Sequence, residues 1–277
     1  WWTMQEGDVG CQPIAMVGAA VSRHYMHGRS TLSDTFVYDC CKTIRRQKGS
    51  VVVKHRVQDI TSAGVWVVHR KNRFFVPANK VISSVGLRAT SDIARMGDMR
   101  SLVKRIGDSV KHHFVFMGVK GSRETCGLPA GVVWIREGKQ YMFVSSECVK
   151  DKISVHLIAD EGTMTSQEMV VLLYKYYPNV KSRVSFLDDA TPYSVNKYLG
   201  RCASYGLSCE KRFSDYKLVR ALRPETNCPN LFVTGQDILM PGIVSALSTA
   251  LMTCRQVEGV TLWDTITKND IADRLSA

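Results

Sequence analysis

Apolar positions along this chain switch between helical and alternating spacing, and the switches mark out its elements. Residues 13–27 are mostly apolar and rich in Ala and Val, which predicts a helix. Phe36, Val37, Cys40, Cys41 and Ile44 recur at helical spacing, with Ser33 or Asp34 as N-cap and Gly49 as the stop after Lys48. That spacing gives the helix a buried face and puts Cys40 and Cys41 in a core. Residues 51–60, 65–69, 74–76 and 81–85 read as strands, with Ser62-Ala63-Gly64 as a turn. The character changes from about Ser91 to Asp188, where strands are expected at 114–119, 132–135, 141–144 and 153–158. A helix follows over 166–176, stopped before Pro178. Strands at regular intervals with flanking helices predict an antiparallel sheet. Its aromatic residues, Phe114, Phe116, Trp134, Tyr141 and Phe143, either line a lipid-sized pocket or face the helices as core.

The richest pattern lies near the C-terminus. A β-prone run, Leu231-Phe232-Val233-Thr234, ends at Gly235-Gln236-Asp237, and Pro241-Gly242-Ile243 then opens an apolar helix. The first N–H groups of a helix lack internal partners and point outward, so a strand, a turn and a helix start suit an anion. Proline costs nothing in a first helical turn. Gly242, Ser245, Ala246, Ser248 and Ala250 are small enough to let another surface approach closely. Read from these residues alone, the segment is equally a ligand site or a buried strand–helix corner.

Composition narrows the classes. The chain has 277 residues, 45% hydrophobic and 22% charged, an ordinary globular composition sufficient for one or two domains. A net charge of +12 is spread over small groups such as Arg45-Arg46-Gln47-Lys48, His69-Arg70-Lys71-Asn72-Arg73 and Lys211-Arg212. These read as solvated faces, with anionic lipid headgroups as the alternative partner. There is no long basic run and no nucleic-acid motif, so nucleic acid is not expected. Nine cysteines, an odd number with no C-x-x-C, point to free thiols. His24 with His27, and His112 with His113, lack supporting zinc-type ligands, and no metal is expected. No stretch reaches the roughly 18 apolar residues of a membrane-spanning helix. No Ser-His-Asp, Cys-His or paired-carboxylate spacing supports hydrolysis. The chain opens at Trp1-Trp2-Thr3-Met4 without a secretory leader and is expected not to be secreted.

Four stretches in order carry a family resemblance. They are His24-Tyr25-Met26-His27-Gly28 with the helical run to Gly49; 51–60 with its later partner 78–86; Thr191-Pro192-Tyr193-Ser194-Val195-Asn196-Lys197-Tyr198-Leu199-Gly200; and the closing 229–251 segment. Together they resemble the flavin-dependent oxidoreductases of the phytoene desaturase and amine oxidase superfamily, in particular its retinol saturase and carotenoid isomerase branch. The resemblance implies an α/β fold with α+β two-layer parts: an incomplete FAD-binding domain with an inserted antiparallel-sheet substrate domain. The discontinuous FAD-binding part would take 13–90 and 225–260, the substrate domain 91–224, and a tail helix 261–277. It also implies FAD as cofactor, with the Val57 backbone facing the adenine. Gln236 and Asp237 would sit by the ribityl and pyrophosphate groups, Gly86 and Gly235 would turn the backbone beside the cofactor, and Gly242 and Ile243 would open the helix aimed at the flavin ring. Asp237 equally suits capping the following helix or shaping the turn. Gly86 and Gly235 are expected side by side, at the ends of strands that run towards one crevice.

One part of the family pattern is missing. No two glycines are spaced i, i+2 anywhere, so the G-x-G-x-x-G turn that holds the dinucleotide pyrophosphate is absent. Gly28-Arg29-Ser30-Thr31-Leu32-Ser33 stands where the family has Tyr-Pro-x-Gly-Gly. The expectation is therefore the C-terminal part of a larger flavoprotein, partnered by a missing N-terminal FAD-binding segment, and these residues alone are expected to hold little or no FAD. The resemblance further implies saturation or isomerisation of a lipophilic polyene, a retinoid or carotenoid. Peripheral contact with the endoplasmic reticulum or another intracellular membrane would go with such a substrate. Saturation needs a proton donor; Tyr193 and Tyr198 lie in the third motif and Tyr205 shortly after it, and no catalytic residue is assigned among them. The competing class is a non-catalytic truncated homologue acting as a lipid-binding or interaction module.

Overall fold

Contacts divide the chain into two compact units, one formed by the residues up to Ile106 and from 209 onward, the other by Gly107–Ser208. The structure, a computed structural model, describes residues 35–149, 152–200, 206–208, 211–212 and 215–259. The expected helices at 13–27 and 261–277, the caps Ser33 and Asp34, and Tyr205 lie outside the described residues. The sequence reading placed domain boundaries at 90/91 and 224/225; contacts divide the chain at 106/107 and 208/209.

The first unit opens with helix α1, Phe36–Arg46, whose last turn carries Arg45 and Arg46 where cations suit the helix dipole. The buried face expected for it is not found. None of its residues is buried, Val37 is 70% exposed and Cys40 is exposed. Helical spacing supplied an apolar stripe, but no described element covers it, so the two cysteines are not core residues. Residues 51–55 are not strand, and β1 begins only at Arg56. Strands β1 (Arg56–Thr61), β2 (Gly64–His69) and β3 (Asn72–Pro77) form an antiparallel sheet in sequence order. Gly64 makes its first turn possible. Its φ is +145°, and a Cβ there would stand 2.2 Å from the Val76 carbonyl oxygen. Strand β4 (Val81–Ser83) leads into α2 (Leu87–Ile93) and α3 (Gly97–Ile106).

The second unit is a sheet with helices on one face. Its elements are β5 (His112–Lys120), α4 (Arg123–Cys126), β6 (Gly131–Glu137), β7 (Gln140–Val149), β8 (Lys152–Asp160), α5 (Ser166–Tyr176), α6 (Pro178–Lys181), β9 (Val184–Ala190) and α7 (Pro192–Leu199). The five strands run in the order β6-β7-β8-β5-β9, every neighbouring pair antiparallel. Alternation sorts the side chains into two faces. Val115, Met117, Met142, Val144, Val155 and Leu157 are at most 2% exposed and pack with Met169 and Leu173 of α5. Helix α5 starts in a capping box, in which Thr165 Oγ1 accepts from Glu168 N while the Glu168 carboxylate accepts from Thr165 N, and it stops ahead of Pro178. Helix α7 is built the same way at its start, with Thr191 and Ser194 in the box and Pro192 in the first turn, and ends on left-handed Gly200.

The chain then returns to the first unit through α8 (Tyr216–Ala221), β10 (Leu231–Val233) and α9 (Ile243–Glu258). Strand β10 pairs with β4 in parallel, registering Leu231 with Val81 and Val233 with Ser83. Ile60, Met96 and Leu231 form one core cluster of this unit, with Val65 and Val81 packed on them, so the two sheets share an apolar cluster. Helix α9 buries a hydroxyl stripe, Ser245, Thr249 and Thr253, and Thr253 Oγ1 donates to Val233 O on β10 at 3.1 Å. Among the described residues no helix is long and apolar enough to cross a membrane.

Candidate functional site

The ends of β4 and β10 make a glycine-lined corner. The pairing continues past the strands, because Thr234 N donates to Ser83 O at 2.9 Å, and Gly235 and Gly86 then turn the two chains side by side. Both have left-handed φ, +105° and +96°. A Cβ on Gly86 would stand 3.0 Å from Asp237 Oδ2, closer than an ordinary contact. That carboxylate accepts a hydrogen bond from Leu87 N at 2.8 Å, so a residue of the second strand's loop caps the helix that follows the first. Asp237 is 5% exposed. The sequence reading had it between a ligand contact and a cap on its own following helix; the cap it makes is on α2, far away in sequence. Thr90 Oγ1 closes the same turn by donating to Gly86 O at 2.7 Å.

Gly242 stands at the N-cap of α9 with φ +105° and has no side chain of its own to cap that helix, and a Cβ there would have nothing within 4 Å. Ile243, the first helical residue, is 53% exposed. Gln236 reaches across, its Oε1 accepting from Gly242 N at 3.5 Å. Two buried polar atoms here have no hydrogen-bond partner, Gln236 Nε2 and Thr234 Oγ1. Buried polar groups are normally satisfied, so orphans at a corner need an explanation. A donor amide and a hydroxyl flanked by left-handed glycines fit an oxygen-rich ligand.

Arg212 is a residue the sequence reading misjudged. Lys211-Arg212 read as a solvated basic pair, yet Arg212 is 1% exposed while Lys211 is exposed. Its Nη1 donates to three carbonyl oxygens of the corner loop, Asp237 O at 2.9 Å, Leu239 O at 3.2 Å and Gln236 O at 3.4 Å. A guanidinium offers several donors in a rigid fork, which suits gathering carbonyls that no strand or helix satisfies. A basic dipeptide carries no signal that one member turns inward.

The remaining expected residues lie elsewhere. Val57 is on β1, the edge strand of the three-stranded sheet, at a β-bulge and 36% exposed. It is not part of the β4–β10 corner. Tyr193 and Tyr198 on α7 are 74% and 78% exposed.

In the second unit, the sheet face opposite the helices carries the aromatic residues. Trp134 stacks on Phe143 with centroids 5.1 Å apart, Phe114 lies parallel to Phe116 at 6.3 Å, and His156 meets Phe116 edge-on at 5.4 Å. Trp134 is 49% and Phe116 37% exposed, whereas Phe143 is buried. The five aromatic side chains thus share the face away from α5, rather than facing the helices. At one end of the strip, Tyr141, Asp160 and His112 lie across three adjacent strands. Tyr141 Oη donates to Asp160 Oδ2, and His112 Nε2 is 3.2 Å from Asp160 Oδ1. Burial pushes the Asp160 carboxyl up, but the hydrogen bonds from His112 and Tyr141 outweigh it and hold the carboxyl below its ordinary range. Burial and the neighbouring carboxylate raise the Tyr141 phenol well above its ordinary value, keeping it protonated. His156 is pushed down by burial.

No family model matches the chain. Among curated proteins it is similar to the all-trans-retinol 13,14-reductase of Danio rerio, 24% identical over 308 residues that cover 86% of this chain and 50% of that protein. The Rattus norvegicus protein of the same name is 29% identical over 133 residues, 47% of this chain and 20% of that protein. The chain therefore spans half the length of these relatives or less. Among solved structures, cyclohexylamine oxidase from Brevibacterium oxydans IH-35A superposes with a TM-score of 0.55 at 12% identity, covering 81% of this chain and 52% of that one. Putrescine oxidase in complex with putrescine gives 0.54 at 15% identity, covering 73% and 47%. At such identities the structural likeness shows the fold alone. The resemblance to retinol reductases, read from four short motifs, is borne out by these relatives.

Proposed function

We propose that this chain is part of a flavin-dependent oxidoreductase acting on C=C bonds of a lipophilic polyene. In this reading the first unit is the C-terminal part of a discontinuous FAD-binding domain, and Gly107–Ser208 is its inserted substrate domain. The observation that carries it is the β4–β10 corner, where paired left-handed glycines, orphaned polar atoms and a helix start with glycine at its N-cap converge. Similarity to the retinol 13,14-reductases supports the reaction class. FAD, when bound, supplies hydride transfer at carbon. The chain's own residues do the rest. Gln236 Nε2 and Thr234 Oγ1 hold cofactor oxygens, the bare backbones of Gly235 and Gly242 allow close approach, and the α9 dipole favours negative charge at its N-terminus. Asp237 and Arg212 hold the corner's shape. The aromatic face of the second unit takes the apolar body of the substrate. The basic hairpin tip at Arg70, Lys71 and Arg73, next to the exposed Phe74 and Phe75, supports a setting at a membrane surface.

The absence of a G-x-G-x-x-G turn gives the test two arms. Residues 1–277 purified alone should show no stoichiometric flavin absorbance, while a version extended upstream to the length of the relatives should be yellow and reduce a polyene. An extended protein that stays colourless in saturating FAD would sink the reading and leave the non-catalytic lipid-binding alternative.

A further inference from the structure

We infer that the stacked histidines His55 and His69, on the three-stranded sheet of the first unit, form a binding site for a dianionic phosphate monoester, and that the anion binds together with protons taken up by the two rings. The site is separate from the β4–β10 corner and does not rest on the flavin reading. The rings are parallel to within 16°, with centroids 4.2 Å apart. Phe74 meets His55 edge-on at 5.8 Å. Register pairs Val67 with Phe74 and His69 with Asn72, and alternation puts all four on one face. The rings therefore stand on an apolar patch with an amide side chain beside them.

The hydrogen bonds of the rings fix what they can offer. His55 Nδ1 donates to Val53 O at 2.7 Å, and His69 Nδ1 donates to Lys54 O at 3.1 Å. A carbonyl oxygen only accepts, so in each neutral ring the proton is on Nδ1 and Nε2 carries a lone pair. A lone pair repels an anion. Nε2 becomes a donor only in the imidazolium, so an anion can be held here only with a proton. A metal ion would also take such lone pairs, but among the described residues no third His, Cys, Asp or Glu joins them.

Charge sets the sign and valence of the ligand. Between residues 40 and 91 the chain holds a single acid, Asp59, and it is paired with Arg95 at 3.3 Å. The charged groups on the elements around the rings are Lys54 beside His55, Arg56 on β1, Arg70 and Lys71 in the β2–β3 turn, and Arg73 on β3. Arg56 and Arg73 both register with Val68 and so lie on the opposite face, Arg73 over the Trp66 ring at 4.3 Å. Two imidazolium charges this close repel each other, and the cations around them add to the repulsion. A dianion answers both charges, whereas a carboxylate or a phosphodiester answers one. Phosphate monoesters of that kind occur as soluble metabolites and as lipid headgroups.

Titration of the full chain tests the inference, with sulfate as the first probe because its charge does not change with pH. Its affinity should rise about tenfold as pH falls from about 7.5 to about 5.5, the range in which histidine takes up a proton. Nitrogen-15 NMR of the side chains should show both rings passing from the Nδ1–H tautomer to imidazolium as sulfate saturates. Acetate and dimethyl phosphate, each singly charged, should bind about tenfold more weakly. His69→Gln, checked for folding by circular dichroism, should lose most of the pH dependence, while Arg46→Gln, a charge removed from α1, should keep it. Glycerol 3-phosphate and vesicles containing phosphatidic acid separate the sources: capture by the vesicles at the same pH assigns the headgroup, and binding of glycerol 3-phosphate without capture assigns a soluble ester. No binding of either dianion, binding independent of pH, rings that stay neutral in saturating sulfate, or equal losses in His69→Gln and Arg46→Gln would each overturn the inference.

Discussion

Replacing Arg212 with Met should destabilise the first unit by about 2–4 kcal/mol, with the damage concentrated in the loop that forms the glycine corner. The guanidinium is 1% exposed, and its Nη1 serves the carbonyls of Gln236, Asp237 and Leu239. A hydrogen bond from a charged donor contributes about 1.5–3 kcal/mol, but only the Asp237 contact, at 2.9 Å, is short enough to count in full. The contacts at 3.2 and 3.4 Å add less. Removing a desolvated cation returns part of the loss, which keeps the total below the sum of three bonds. Methionine fills much of the stem volume, so cavity formation is a minor contribution. Urea unfolding measures the global loss. Hydrogen exchange over residues 231–240 locates it, because those amides should exchange faster while the sheet of the second unit keeps its protection. Lys211→Met removes the same charge from an exposed neighbour and should change stability by less than about 0.5 kcal/mol. If Arg212→Met matches that control in both measurements, the buried guanidinium does not organise the loop, and the reasoning from its contacts is wrong.

Two further outcomes follow from the geometry. Gly86→Ala should cost about 2–3 kcal/mol, because φ is +96° and the new Cβ would press on the Asp237 oxygen that caps α2; Gly97→Ala, which meets nothing within 4 Å, should be near neutral, and equal effects in thermal unfolding would refute the assignment. The Asp160 carboxyl is held below its ordinary range, so its stabilising contribution is present in full above the unfolded value of about 4 and is lost as pH falls below it. The difference in melting temperature between the parent and Asp160→Asn should therefore be flat from about pH 5 to 7 and shrink below about 4; a difference that does not change with pH would show that the carboxylate charge is not what matters.

The sequence was legible where a local rule acts alone. Helix α5 runs from Ser166 to Tyr176 as expected, because a capping box opens it, Pro178 follows it and an apolar face runs between them. Strands β5 to β8 were found, though each extends beyond its apolar core, since ladder pairing recruits flanking polar residues such as His112 and Lys152. The turns at Gly86, Gly235 and Gly242 were found from glycine placement after apolar runs. The pairing that brings Gly86 beside Gly235 was also found, but the contacts of particular side chains with partners distant in sequence were not. Asp237 caps a helix 150 residues away, Arg212 turns inward to a loop that begins 24 residues later, and Tyr141 and His112 meet through Asp160 on the strand between them. The apolar stripe of α1 failed for the opposite reason. Its spacing was right, but spacing does not say whether a covering element is present.

The same distinction bears on why the first unit reads as incomplete. Parallel strands are ordinarily covered on both faces, because their crossover connections lay helices there. Among the described residues the parallel sheet has β4 and β10 alone, and Ile82 and Val85 remain 47% and 50% exposed. Helix α9 inverts the usual amphipathic arrangement. Its hydroxyl stripe of Ser245, Thr249 and Thr253 is buried on the strand side, where Thr249 and Thr253 bond back to carbonyls of the preceding turn. Ile243, Leu247 and Met252 meanwhile stand 53%, 48% and 39% exposed. Hydroxyls that donate to their own helix bury at little cost, whereas a row of exposed aliphatic side chains forgoes the stabilisation that covering them would bring. Exposed apolar residues on a two-stranded parallel sheet and on the helix beside it are what would be left if further strands and a covering layer belonged there. In relatives of about twice this length, at least one further segment is available to supply them. A polypeptide that completes the sheet would also close over Gly86, Gly235 and Gly242, which lie at the ends of the same elements. On the proposed flavin reading, completion of the fold and formation of the cofactor site would be one event, and flavin would stabilise the joined protein far more than it stabilises these residues alone.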